Sequence, residues 1–175
     1  MSTTFKKITT IDVGAGGASS MDFTSIPSTY TDLCLKVSVR TSKAGSFNGA
    51  FGMQFNGDTG SNYTSRDMYG AISSTGSGLT SNSAGWFNEG AVNSAGSTGG
   101  FFSSLDIYIP SYTSSNRKAF SAEFIAIEIS STCYEICTAG WWTGTSAISS
   151  IKLFTDAGQT WSQYSSAILY GIKNS

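Results

Sequence analysis

Hydrophobic and polar positions alternate with a period of two along much of this chain. The clearest case is residues 32–41, where Leu33, Leu35, Val37 and Val39 point one way and Cys34, Lys36, Ser38 and Arg40 the other. Such a segment is a strand with one face in a core. Residues 5–13 form a second, in which Ile8 is out of phase with Ile11 and Val13, so a bulge or twist is predicted near Thr9 and Thr10. Further strands are predicted at 19–24, 50–56, 62–69, 85–88, 101–109, 118–129, 133–142, 149–154 and 165–172. Turn chemistry separates them at Asn48-Gly49, Asn56-Gly57-Asp58, Pro110-Ser111 and Asp156-Ala157-Gly158, which supply positive-φ residues or a fixed proline φ. No long window keeps helical apolar spacing; a single helical turn is expected near 27–30.

The connections over 43–49, 71–84 and 88–100 are too long for simple hairpins, and they suit chains that cross from one sheet to another. The expected fold is therefore all-β: a jelly-roll-like antiparallel β-sandwich with Greek-key connections and little or no helix. A length of 175 residues suits one domain over 1–175, with 1–7 as an N-terminal arm. Segments 73–83 and 93–100 are almost wholly Ser, Thr, Gly, Asn and Ala, and read as loop tips that neighbours in an assembly would order. No repeat of solenoid or propeller length is visible.

Composition narrows the chemistry. The 32 Ser, 20 Thr and 20 Gly suggest a linker only until the 13% aromatic content is counted, which requires a packed core. Ten basic residues against eleven acidic give a net charge of −1, and basic residues never run beyond adjacent pairs, so nucleic acid is excluded as a partner. The absence of His removes the usual base of Ser-His-Asp and Cys-His catalysis. Seven Asp and four Glu leave two-carboxylate chemistry open in principle, yet no spacing selects a pair, and the chain is read as a non-enzyme without catalytic residues.

Candidate ligand sites fare similarly. Asp58 and Asp67, near Asn56, Asn62 and Arg66, offer oxygen ligands but match no calcium loop, so Asp58 is expected in the turn after Asn56-Gly57. The glycine-rich run 13–18 lacks the third glycine of a dinucleotide loop, because Ser19 stands there. Cys34, Cys133 and Cys137 fit no zinc spacing; on one strand Cys133 and Cys137 would lie about 13 Å apart, beyond disulfide reach. All three are expected as buried, reduced thiols, consistent with synthesis in a reducing cytoplasm. No metal and no cofactor are expected. No signal-peptide core opens the chain and no apolar run is long enough to cross a membrane as a helix, so a soluble protein made without secretion is expected.

The aromatic residues are the remaining clue. Trp141 and Trp142 are adjacent on a predicted strand and must face opposite ways, so one enters the core and the other meets solvent, a sugar, a loop or another subunit. Phe5, Trp86, Trp141 and Trp142 are the candidate contact residues.

Three stretches combine into a recognisable pattern: residues 23–30 (Phe-Thr-Ser-Ile-Pro-Ser-Thr-Tyr) leading into the strand from Leu33, Phe55-Asn56-Gly57-Asp58 with Asn62-Tyr63, and residues 167–172 (Ala-Ile-Leu-Tyr-Gly-Ile). Together they resemble a group of small virion proteins of tailed bacteriophages from marine and freshwater sources, capsid decoration (cement) or tail-fibre proteins with β-sandwich folds. The similarity runs over roughly 5–172, and residues 71–100 depart from it. The resemblance implies a virion location after synthesis in the host bacterial cytoplasm, a homotrimer, and the major capsid protein or another virion protein as partner. Its alternative implication is a tail-fibre or receptor-binding module recognising host surface glycans. It carries no catalytic motif.

Overall fold

A computed structural model of the chain describes residues 4–44, 48–71, 74–97, 99–128, 132–155 and 158–173. Twelve strands run through these residues: β1 (Phe5–Asp12), β2 (Ser20–Phe23), β3 (Asp32–Val39), β4 (Asn48–Phe55), β5 (Tyr63–Ala71), β6 (Ser74–Ala84), β7 (Phe87–Asn93), β8 (Ser103–Ile109), β9 (Lys118–Glu128), β10 (Thr132–Trp142), β11 (Ile151–Phe154) and β12 (Ser166–Ile172). An eight-stranded sheet has the order β1-β12-β3-β8-β9-β10-β5-β6, and a four-stranded sheet the order β2-β11-β4-β7. Every strand pairing is antiparallel. The two sheets pack face to face, which makes the fold an all-β antiparallel sandwich. No helix occurs among the described residues, and 28–29 form a plain turn in place of the expected helical one.

Period-two alternation is the cause of this layering. On β3, Leu33, Leu35, Val37 and Val39 are buried between the sheets, while Lys36 and Ser38 face out. The bulge in β1 lies between Lys7 and Thr9, one residue from its expected place. Phe5, Lys6 and Lys7 do not form a free arm: they pair with Ile172, Gly171 and Tyr170 of β12. Residues 1–3 of that expected arm lie outside the described residues.

A larger correction concerns the hydroxyl-rich middle. Most of 73–83 is not a loop but β6, paired along β5, and β7 runs on through Asn93 instead of stopping near residue 88. Residues 45–47, 72–73 and 98, also within the expected long connections, lie outside the described residues. The turn after β7 is tied down within the chain, because Arg40 Nε donates to the Ser94 carbonyl at 2.9 Å and Arg40 Nη2 to the Ser97 carbonyl at 3.3 Å.

Aromatic rings fill the space between the sheets. Phe51 of β4 packs edge-on to Phe124 with centroids 5.5 Å apart and tilted against Trp161 at 6.0 Å. Phe55, further along the same strand, meets Phe120 and Trp142 edge-on at 6.1 and 5.7 Å. Some rings lie directly over glycines of the neighbouring strand. Phe120 of β9 faces Gly140 of β10, where a Cβ would stand only 2.3 Å from the ring; Tyr69 of β5 covers Gly76 of β6 in the same way. Here glycine supplies a seat for an aromatic ring on the opposite strand.

One buried polar group stitches the sheets together. The fully buried Asn93 of β7 accepts from the Ile127 amide at 3.1 Å, donates to the Ile127 carbonyl at 2.6 Å, and bonds Ser97 and Ser103. Its side chain thus satisfies backbone groups of β9 across the sandwich.

Candidate functional site

Two adjacent lateral rows run through the outward positions of the eight-stranded sheet. Successive pairings align Lys7, Tyr170, Cys34, Tyr108, Ser121, Ala139 and Arg66 across seven strands. The next row holds Thr10, Ile168, Lys36, Asp106, Glu123, Cys137 and Met68. Apolar and polar groups are therefore mixed over one broad surface. Met68, Tyr108 and Trp141 are exposed on it, and two open troughs of about 410 and 430 Å³ share Cys137 and Thr138.

Several of these side chains are held in place. The Tyr108 hydroxyl donates to Asp32 at 2.8 Å, and that bond, followed by burial, raises its pKa. Lys36 Nζ bonds Asp106 at 2.5 Å, which raises the lysine's pKa. Both partners are about half exposed, so the pair adds little stability.

The four candidate contact residues separate. Trp141 is 43% exposed on the outer face of β10, whereas Trp142 is only 3% exposed and points between the sheets. The opposite facing follows from strand geometry, and it removes Trp142 from the contact set, because its ring is spent on Phe55, Tyr63 and Gly144. Phe5 is 46% exposed and packs beside Tyr170 with centroids 4.6 Å apart, at the margin of the same large face. Trp86, 43% exposed, lies elsewhere: it meets Phe154 on the outer side of the small sheet.

Asp58 serves a structural purpose. Asn56 and Gly57 adopt φ of 53° and 67°, as a tight turn requires, and the Asp58 amide closes it on the Phe55 carbonyl at 2.9 Å. Its carboxylate then accepts from the Gly60 amide at 2.8 Å, Asn62 Nδ2 at 2.8 Å and the Trp142 indole at 2.7 Å. Burial pushes the Asp58 carboxyl up, but these three bonds outweigh it and hold the group below its ordinary value. Asp67 does not join this carboxylate's bonds, and among the described residues no three His, Cys, Asp or Glu side chains cluster as a metal site would need.

The cysteines correct a second expectation. Cys34 is buried, with burial raising its thiol pKa, but Cys133 and Cys137 are exposed. Both occupy outward positions of β10, in phase with Trp141. All three are free thiols. Elsewhere, the buried Lys118 ammonium donates to the Ser114, Asn116 and Thr145 carbonyls, and burial lowers its pKa.

Neither fold nor site carries over from a relative: no family model, curated protein or solved structure matches this chain. What the molecule itself defines is a two-sheet antiparallel sandwich with one broad outer face and, on the other side, an exposed Trp86 packed against a half-buried Phe154.

Proposed function

We propose that this chain is a structural protein of a bacteriophage virion, a capsid decoration or cement protein that binds the outer capsid surface and reinforces the shell by protein–protein contact. The virion assignment comes from the sequence resemblance. The observation that supports a contact role is the outer face of the large sheet. Eight strands at about 4.8 Å span roughly 34 Å, and seven residues of strand run roughly 23 Å, an area on the order of 800 Å². That matches the roughly 800 Å² each partner contributes to a standard stable interface. The face mixes Met68, Tyr108 and Trp141 with the Lys36–Asp106 pair, Glu123 and Arg66, the composition of a wet, specific contact. A homotrimer on the particle, with the major capsid protein beneath, completes the reading.

The test is to mix purified protein with undecorated heads, sediment them, and heat them. Co-sedimentation and a higher temperature of shell disruption are expected, both lost on Trp141→Asp or Met68→Asp. Heads that neither retain the protein nor gain stability would refute the reading. A second reading, a tail-fibre or receptor-binding module for host glycans, is favoured by the exposed Trp86 on the opposite side of the molecule. Immunogold labelling of intact virions separates head from tail.

A further inference from the structure

We infer that the outer side of the small sheet carries a saccharide-binding platform, built from Trp86 and Phe154 and flanked by Lys152 and Asp22, that takes a neutral pyranose chain. This deepens the glycan-recognition reading and does not depend on shell binding.

The platform is assembled by backbone features that serve no evident purpose in the core. Phe154 of β11 lies against Gly52 of β4, where a Cβ would come within 2.6 Å of the ring. The missing side chain lets the ring settle on the strand's backbone. Trp86 then meets Phe154 near-perpendicularly, with centroids 6.0 Å apart and planes at 71°, which gives two apolar walls at an angle. The link that bears Trp86, between β6 and β7, is fixed rather than loose. Gln54, itself 8% exposed, donates from Nε2 to the Gly85 carbonyl at 2.9 Å, and Gly85 sits so close to the Thr59 carbonyl that a Cβ would stand 2.7 Å away. A large ring held out toward solvent on a clamped link loses little freedom when a ligand arrives.

The chemistry of the rim selects the ligand. A pyranose presents an apolar C–H face, which stacks on aromatic rings, and a belt of hydroxyls, which need donors and acceptors around the rings. Lys152 Nζ stands 6.0 Å from the Phe154 centroid, and Asp22, bonded by the Ser20 hydroxyl, is directly opposite Lys152 in the β2–β11 register. One cation beside one anion favours a neutral sugar over a uronic or sialylated one. Trp141, by contrast, has Ala119 and Thr64 as its partners in register, neither of them aromatic or charged. A single platform of this size binds weakly, with Kd on the order of 1 mM. Copies displayed together on a particle add their affinities through effective concentration.

The experiment titrates the full chain with cellohexaose and maltohexaose, neutral chains of the two anomeric linkages, up to about 10 mM, roughly ten times that Kd. Binding is read from the indole N–H resonances, with oligogalacturonate as the charged control. The expected result is a shift of the Trp86 indole signal with at least one neutral hexasaccharide, and about tenfold weaker binding in Trp86→Ala and in Phe154→Ala. Trp86→Phe retains part of the affinity, and Trp141→Ala binds as the unaltered protein does. Amide spectra of each variant establish that it is folded. Absence of binding to both neutral chains overturns the inference, and absence of binding to oligogalacturonate as well overturns the glycan reading with it. Binding that survives Trp86→Ala overturns the site alone, and preference for oligogalacturonate overturns the ligand class.

Discussion

The Trp142 indole donates a 2.7 Å hydrogen bond to the Asp58 carboxylate, joining the end of β10 to the turn between β4 and β5. The two residues are 84 positions apart in sequence. Strand alternation sends Trp142 inward and leaves Trp141 on the outer face, and the bond satisfies the indole N–H of the ring that enters the core. Asp58→Ala strands a largely buried indole N–H and frees the 56–62 turn; it is expected to cost about 1–3 kcal/mol, measured by urea denaturation.

The same carboxylate makes stability depend on acid. Its pKa is lowered in the folded chain from an ordinary value of 3.8, so its contribution is fully present above that value and is lost as pH falls through the lower native one. Thermal melts between pH 5 and 2 should show a shallower decline for Asp58→Asn than for the unaltered chain. Parallel curves for the two proteins would contradict the assignment.

Tyr63 titrates at the other end of the scale. Burial pushes it up from 10 to about 12, outweighing the Phe55 amide, which donates to its hydroxyl at 2.8 Å and favours the ionised form. The folded state therefore keeps a proton that the unfolded chain releases, and stability falls as pH rises from 10 toward 12. Ultraviolet titration should find one tyrosine ionising near the top of that range, absent in Tyr63→Phe.

Ring-on-glycine seats predict a steric penalty. Gly140→Ala places a methyl within 2.3 Å of Phe120, and an overpacking cost of about 1–3 kcal/mol is expected. Combining it with Phe120→Leu should recover part of the loss, and a double-mutant cycle with no coupling would show that the ring is not what the glycine accommodates.

Thiol reactivity follows exposure. A disulfide reagent should modify Cys133 and Cys137 in the native protein and leave Cys34 until unfolding, because Cys34 is buried and its pKa is raised by that burial. Mass mapping of the labelled residues decides it.

The strands with a strong apolar beat were legible in the sequence. Leu33 to Val39 announced β3, the phase break at Ile8 announced the β1 bulge, and Trp141-Trp142 announced a divided pair. β6 was not, since among its eleven residues only Leu79 is a large apolar side chain. Its strand state arises from backbone pairing along β5, which a pattern of side chains does not display. The Trp86–Phe154 pair was half legible. Trp86 stood out by type, but its partner is 68 residues away, and Gly52, the residue that makes room for that partner, carries no signal until the β4–β11 register is known.

That register has a consequence for how the chain reaches its final alignment. If β9 and β10 slid past each other by one position, Phe120 would oppose Ala139 or Trp141 in place of Gly140, and if β4 and β11 did so, Phe154 would oppose Phe51 or Met53 in place of Gly52. Each slip also turns a whole strand inside out. In a polypeptide so rich in interchangeable small hydroxyl residues, these bare positions work as notches: misaligned strands collide with a ring, and only the native alignment lets both sheets close.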